Sequence, residues 1–185
     1  MENDNQFHTI EEIVDRLSLL DFYCIKSGTT ADLVILGGSG ILMQLAINKD
    51  EVFRPTQDID VNILSTNDAE GIYRQLKEAN IDVVGGVMEV PPLEDFKETD
   101  SLYELDMDFS NIRVFVPTLE LLACCKIFSK RQKDLDDLES TSLLEQCDKD
   151  SLLEMVDEYR ANLLNEHDPD LNLHLLDNIL AEKGI

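Results

Sequence analysis

Basic residues are scarce in this sequence of 185 residues. It carries 15 Lys and Arg against 39 Asp and Glu, which gives a formal net charge of −24 at pH 7. A chain this acidic lacks the basic surface that releases counterions from phosphates, so we expect no non-specific binding to duplex DNA. A nucleotide would have to be held locally, through metal ions.

Patterns for zinc binding, disulfides and membrane insertion are also missing. The four cysteines include no C-x-x-C pair and the three histidines do not cluster near them, which argues against a structural zinc site or a disulfide scaffold. No apolar run approaches the roughly 20 residues that span a bilayer. The N-terminus lacks the basic start and apolar stretch of a signal peptide, so we expect a cytoplasmic protein without membrane contact.

Glycine and proline number only eight and five, and most lie before residue 120. In that part of the chain short apolar runs alternate with helical spacing, whereas the spacing after Pro117 is helical throughout. We therefore predict an α/β (α+β) fold in which residues 1–117 form a mixed β-sheet flanked by helices. Residues 118–185 are predicted to be a C-terminal helical region packed on that core.

A glycine-rich turn links a predicted strand to a predicted helix. The apolar run 33–36 ends at Gly37, Gly38, Ser39 and Gly40, after which helical spacing resumes. A turn of this kind exposes backbone N–H groups at the positive end of a helix, where phosphate oxygens bind. Glycine is favoured there because a side chain would hold the phosphate away.

Two aspartates lie on the polar face of the next predicted strand. Asp58 and Asp60 alternate with Ile59, Val61 and Ile63, so their Cα atoms are expected about 6.5 Å apart on one face. Carboxylates at that spacing can share two Mg²⁺ or Mn²⁺ ions, which lie about 3.5–4 Å apart in phosphoryl-transfer sites. The absence of nearby His or Cys suits magnesium, which prefers oxygen ligands.

These segments resemble the nucleotidyltransferase superfamily of DNA polymerase beta, whose signature is a hydrophobic residue, Gly, Gly or Ser, a helix, and then Asp-x-Asp. The resemblance extends to Arg54-x-Thr56 before the aspartates, to Lys126, and to Arg131-x-Lys133-Asp134-x-x-Asp137. This combination is similar to the AbiEii-type toxins of bacterial toxin–antitoxin pairs and their small relatives. It implies a minimal nucleotidyltransferase fold with nucleotide-binding roles for Gly37, Gly38, Ser39, Arg54, Thr56, Lys133 and Asp134.

The resemblance also implies a third carboxylate and a cationic group. Asp106 and Asp108 are the candidates for the third carboxylate, and Asp106 is the preferred one, although both are also typical of a solvated strand face. Lys126 lies among apolar residues, where an unpaired ammonium is costly, so we expect it to neutralise the phosphates. The alternative for the nearby Lys and Asp residues is ordinary pairing along a helix.

The sequence therefore predicts a metal-dependent enzyme that transfers a nucleoside monophosphate from a nucleoside triphosphate to a hydroxyl. The acceptor is a tRNA, a protein or a small molecule, and an antitoxin is a possible protein partner. The alternative is a catalytically silent protein that keeps the fold and binds a partner through its acidic helices.

Overall fold

Five strands form one mixed sheet in the computed structural model, which describes residues 6–49, 51, 53–84, 89–98 and 101–185. The strands are β1 Ala31–Leu36, β2 Asp60–Thr66, β3 Asp82–Val83, β4 Leu102–Glu104 and β5 Ile112–Pro117, and their order across the sheet is β3-β2-β1-β5-β4. β1 is antiparallel to β2 and parallel to β5, β3 is parallel to β2, and β4 is antiparallel to β5. The prediction of an α/β class with a mixed sheet is confirmed.

Three helices accompany the sheet: α1 Ile10–Ser27, α2 Gly37–Asn48 and α3 Ala69–Glu78. Thr9 and Glu12 form a reciprocal capping box at the start of α1, and Asp68 caps α3 by accepting from the Gly71 N–H. α1 packs against α2 and α3, and α2 packs against β1, β2 and β5. The core of this region consists of fully buried aliphatic side chains, among them Ile13, Leu17, Leu20, Leu33, Ile35, Ile41, Val61, Ile72 and Leu76.

The chain divides into two compact units. One contains residues 1–86 and 96–117, and the other contains residues 87–95 and 118–185. Helices of the second unit are α4 Leu119–Ile127, α5 Gln132–Ser140, α6 Leu143–Gln146, α7 Lys149–Asn162 and α8 Leu176–Lys183, with a 3₁₀ turn at Asn172–Leu175. α4 contacts α5, α6 and α7. None of the helices in the described ranges is long and apolar enough to cross a membrane.

The observed elements differ from the predicted ones at several places. β2 begins at Asp60, so Asp58 precedes the strand that was predicted to carry both aspartates. The apolar alternation of residues 102–109 predicts a strand, but β4 ends at Glu104, because the N–H groups of Met107 and Phe109 bond to carbonyls two residues earlier instead of to β5. The helical spacing predicts helices at 118–130 and 131–146. The first ends at Ile127, and the second is divided into α5 and α6. The predicted Gly85-Gly86 turn lies outside the described residues.

A buried carboxylate on α1 holds the turn before β5. Asp21 is 6% exposed and accepts hydrogen bonds from the backbone N–H groups of Ser110, Asn111 and Ile112 at 2.9, 2.7 and 3.1 Å. Hydrogen bonds to a charged acceptor are stronger than neutral ones, and a donor that loses its partner keeps its desolvation cost. Asp21 therefore fixes where β5 begins.

We expect Asp21→Ala to lower the free energy of unfolding by about 3 kcal/mol, because it leaves these backbone donors without an acceptor. Urea denaturation followed by circular dichroism measures the change. The exposed Asp15 on the same helix provides the control, since Asp15→Ala is expected to change stability by less than about 0.5 kcal/mol. Equal effects of the two substitutions would contradict the anchoring role of Asp21.

Candidate active site

The glycine-rich segment forms the first turn of α2. The helix begins at Gly37 itself, directly after β1, and the φ angle of Gly37 is +59°. Leu36 occupies the N-cap position and makes no side-chain capping bond. The Ser39 hydroxyl donates to the Leu36 carbonyl at 3.0 Å, and Ser39 is fully buried. The Ser39 hydroxyl is therefore engaged by the backbone at the start of α2.

The absence of side chains at Gly37 and Gly38 lets other residues approach the helix start. A Cβ atom on Gly37 would lie only 2.7 Å from Asp60 Oδ2. A Cβ atom on Gly38 would lie 3.2 Å from Thr56 Oγ1 and 3.7 Å from Arg54 Nη2. The structure therefore brings five of the predicted site residues together at the N-terminus of α2.

Asp58 and Asp60 flank the buried Ile59 and both lie outside the core. The intervening Ile59 and the following Val61 are fully buried, whereas Asp58 is exposed and Asp60 is partly exposed. This alternation places both carboxylates away from the core. The segment is held at its start by Thr56, whose hydroxyl donates to the Asp58 carbonyl at 3.1 Å.

Backbone pairing fixes the position of Thr56. Its N–H donates to the Phe7 carbonyl at 3.0 Å, and its carbonyl accepts from the Phe7 N–H at 2.7 Å. Arg54 lies over the Phe53 ring, 5.2 Å from its centroid, and donates to the Pro55 carbonyl at 3.1 Å. Thr56 therefore supports the segment that carries the aspartates, whereas the nucleotide-binding roles of Arg54 and Thr56 stay predictions.

Sequence reasoning missed a third carboxylate at this edge of the sheet. Asp82 on β3 is directly in register with Asp60 on β2, and its N–H donates to the Ile59 carbonyl at 2.9 Å. Residues paired in register on neighbouring strands point to the same face, about 4.8 Å apart. Asp82 is exposed. In the sequence, Asp82 is recognisable only as the polar residue of the short apolar run 81–84. The strand order is needed to show that it lies beside Asp60.

Asp106 and Asp108 lie elsewhere. Both are exposed and follow β4, which runs antiparallel to β5 and leads away from the sheet end where β1 finishes. The N–H of Leu105 bonds to Val114, near the start of β5, whereas Asp60 pairs with the last residue of β1. Asp106 is thus displaced from Asp60 by about 13 Å along the strands and by three strands across the sheet. The structure does not bring these two aspartates to Asp60.

Lys126 lies in the second unit and is 4% exposed. Its Nζ donates to Asp134 Oδ1 at 2.9 Å and to Asp137 Oδ2 at 2.8 Å, and both aspartates are 2% exposed. Lys126 is therefore paired, because α5 follows α4 and supplies two carboxylates, and its role in neutralising phosphates stays a prediction. Lys133 is exposed.

We define Lys126, Asp134 and Asp137 as the buried ion cluster. Two neighbouring side chains donate further hydrogen bonds to it. Arg131 Nε and Ser129 Oγ donate to Asp134 Oδ2 at 2.7 and 2.6 Å. Burial favours the neutral acid, but the charge of Lys126 and the hydrogen bond from Arg131 outweigh it, so the pKa of Asp134 is lowered. Burial raises the pKa of the neighbouring Cys125 thiol to about 12, so this cysteine stays protonated near neutral pH.

The donor set at the start of α2 suits magnesium. Within the described part of the chain, no three His, Cys, Asp or Glu side chains are grouped closely enough to form a complete metal site. Magnesium needs no such group, because it commonly takes one or two carboxylates and completes its shell with water and substrate phosphates. Asp60 lies beside the helix N-terminus and Asp58 is two residues before Asp60, so these two carboxylates could hold such an ion.

One family model matches most of this chain. The crystal structure of an antigenic nucleotidyltransferase-like protein from Paracoccidioides brasiliensis is similar to this chain, with a TM-score of 0.45 and 15% sequence identity over 96% of this chain and 91% of that one. No curated protein is significantly similar in sequence. Residues 11–176 match the model of a family described as nucleotidyltransferase of unknown function (DUF6036). Because this match covers most of the sequence, the chain belongs to that nucleotidyltransferase family.

Proposed function

We propose that this protein transfers a nucleoside monophosphate from a nucleoside triphosphate to a hydroxyl group and releases pyrophosphate. The observation that carries the proposal is the contact of Asp60 with the start of α2, where an added Cβ on Gly37 would meet its carboxylate at 2.7 Å. A phosphate-binding helix end and a pair of metal-binding carboxylates then adjoin each other, as phosphoryl transfer requires.

In this proposal the backbone N–H groups at the start of α2 bind the triphosphate, and Asp58 and Asp60 hold Mg²⁺ or Mn²⁺. When bound, the metal ions neutralise the phosphate charge and orient the reacting oxygens. Arg54, beside Gly38, adds positive charge near the phosphates. We assign this role to Arg54 instead of Lys126, because the Lys126 ammonium is held by two buried carboxylates.

The acceptor oxygen forms a new bond to the α-phosphorus, and the bond between that phosphorus and the bridging oxygen of pyrophosphate breaks. The hydroxyl proton must leave as the new bond forms. Asp82 is the proposed proton acceptor, because it is exposed and lies one strand from Asp60 in direct register. The proton then passes to solvent.

The test is a transfer assay with α-phosphate-labelled nucleoside triphosphates and Mg²⁺ or Mn²⁺. The acceptors to be offered are total tRNA, the protein itself and cationic small molecules such as aminoglycosides. Labelled product with one acceptor and release of pyrophosphate would support the proposal. No transfer with any nucleotide, together with no metal-dependent nucleotide binding, would contradict it.

We further propose an AbiEii-type role as the toxin of a toxin–antitoxin pair. The segment Arg131, Lys133, Asp134 and Asp137 supports this role by its resemblance to those toxins. Expression of the intact protein in bacteria is then expected to arrest growth, and co-expression of the neighbouring gene is expected to relieve the arrest. Normal growth at high expression of an active enzyme would contradict the toxin role and leave the transferase proposal standing.

One observation favours a second candidate, a silent protein that binds a partner. Among the described residues no group of three or more His, Cys, Asp or Glu side chains could hold a metal ion without ligands from a substrate. A silent protein would bind neither Mg²⁺ nor a triphosphate, and calorimetric titration of both ligands distinguishes it from the enzyme.

A substitution at Gly37 tests the geometry of the site. We expect Gly37→Ala to lower nucleotide transfer by at least about tenfold, because the new methyl group displaces the Asp60 carboxylate. Gly28→Ala is the matched control, since Gly28 has a similar φ angle of +72° and nothing within 4 Å of the added Cβ. Both substitutions carry the backbone cost of about 1 kcal/mol. Similar transfer rates for the two variants would show that the contact at Gly37 is unimportant.

A further inference from the structure

Helix α1 carries two apolar seams on opposite sides. Its inner seam consists of Ile13, Leu17, Leu20 and Cys24, which are all fully buried. The outer seam, which we define as Asp15, Leu19, Phe22 and Lys26, repeats the same spacing of four, three and four residues. At 100° per residue, the outer seam falls within about 60° of the helix circumference and faces away from the inner one.

The outer seam is exposed although its centre is apolar. Leu19 and Phe22 are 36% and 48% exposed, and the adjacent Ile25 is 49% exposed. Single exposed apolar residues are ordinary on protein surfaces, but three within two turns of one helix form a continuous strip. Spacing of this type is the pattern by which helices pair through interlocking side chains.

The charges at the two ends of the outer seam are opposite. Asp15 lies one turn before Leu19, and Lys26 lies one turn after Phe22 with its Nζ 4.3 Å from the centre of the Phe22 ring. In a parallel pair of such helices, like charges would face each other at both ends. In an antiparallel pair, Asp15 faces Lys26 of the second copy and Leu19 faces Phe22 of the second copy.

We propose that the outer seam of α1 binds a second copy of this chain, with the two α1 helices antiparallel. The occupant is a second copy because the seam is complementary to itself under a two-fold axis between Leu19 and Phe22. The pair has four layers, two apolar layers at the centre and one charge pair at each end. The interface is short, so the dimer is weak and depends on protein concentration.

Net charge acts against this association. Each copy carries −24, so the two copies repel each other at low ionic strength. Salt screens this long-range repulsion more strongly than it weakens close contacts, and the dimer is expected to strengthen as salt increases. Sedimentation equilibrium at several salt and protein concentrations measures the dissociation constant.

Charge exchange provides the decisive test on the full-length protein. Asp15→Lys and Lys26→Asp are each expected to weaken self-association by about tenfold, because like charges then face each other at both ends. An equimolar mixture of the two variants is expected to form a heterodimer with wild-type affinity, since both end layers regain opposite charges. If net charge alone governed association, Asp15→Lys would strengthen the dimer, because it changes the net charge from −24 to −22.

The apolar layers are tested separately. Phe22→Glu is expected to abolish the dimer without lowering thermal stability, because the side chain is 48% exposed in the single chain. Leu164→Glu is the control, since Leu164 is 93% exposed and belongs to the second unit. A wild-type protein that stays monomeric up to about 1 mM, where even weak specific complexes associate, would overturn the proposal. A dimer that Phe22→Glu leaves intact would also overturn it.

Discussion

Nucleotide transfer is expected to fall by at least about a thousandfold when Asp58 or Asp60 is replaced by asparagine. Asparagine keeps the size of the side chain but removes the negative charge that holds a divalent cation. Asp60 also contacts the start of α2, so in the proposed site its charge would lie between a metal ion and the triphosphate. Rates with saturating triphosphate, measured across Mg²⁺ concentrations, give the effect of each variant.

The fold is expected to survive both substitutions. Asp58 is exposed and Asp60 is partly exposed, and the buried side chains of this segment are Ile59 and Val61. Changes at such positions usually alter stability by no more than about 0.5 kcal/mol. Thermal melting checks this expectation. Loss of folding in both variants would assign the aspartates a structural role instead of a catalytic one.

Two further variants identify the third carboxylate. Asp82→Asn is expected to slow transfer by about a hundredfold, as the loss of a general base does, because Asp82 is in register with Asp60. Asp106→Asn is expected to leave the rate unchanged, because Asp106 follows β4 at the other end of the sheet. The opposite result, a large effect at Asp106 and none at Asp82, would restore the assignment made from the sequence.

The local pattern of the sequence predicts the parts of the site that are continuous in the chain. The apolar run 33–36, the glycines after it and the alternation around Asp58 and Asp60 each depend on neighbouring residues, and the structure places them as a strand, a helix start and a polar face. Periodicity carries this information because buried and exposed positions alternate regularly in helices and strands.

The strand order is not encoded in any local pattern. β3 lies beside β2 and parallel to it, which brings Asp82 to Asp60, while β4 lies at the opposite edge. Asp82 and Asp106 have similar sequence surroundings, each with apolar residues on both sides. Only the arrangement of the sheet distinguishes them, so a prediction from the sequence had no basis for choosing Asp82.

The partners of Lys126 were missed because local patterns do not show how the predicted helices 118–130 and 131–146 pack on each other. A continuous helix would place Lys126 and Asp137 on one stripe, eleven residues apart and far along the axis. The structure ends α4 at Ile127 and starts α5 at Gln132, so the chain turns back and both Asp134 and Asp137 reach the lysine. A lysine in an apolar helix, followed after a break by two aspartates three residues apart, is the signal that indicates such a cluster.

Replacing Lys126 with methionine is expected to lower the free energy of unfolding by about 3–5 kcal/mol, the cost of removing one partner from a buried ion pair. Methionine fills most of the space of the lysine stem, so the loss arises from charge and not from a cavity. Asp134 and Asp137, each 2% exposed, would remain buried without the ammonium. Urea denaturation of the full-length protein measures this change.

Acid should weaken the same cluster in the wild-type protein. The pKa of Asp134 is lowered in the folded state, so its contribution to stability is complete above the ordinary aspartate pKa of about 3.9 and is lost as the pH falls through the lower folded value. In Lys126→Met this loss at low pH should be smaller, because the cation that lowers the pKa is gone. The two proteins should therefore become more similar in stability as the solution is acidified.

Two controls separate the buried cluster from general surface effects. Lys133→Met removes an exposed lysine from the adjoining helix and is expected to change stability by less than about 0.5 kcal/mol. The triple variant Lys126→Met, Asp134→Leu and Asp137→Leu replaces the whole cluster with apolar side chains and is expected to recover most of the lost stability. Lys126→Met could instead prove as stable as the wild type and bind triphosphate more weakly. That result would place the lysine in the nucleotide site and contradict the proposed structural role of the cluster.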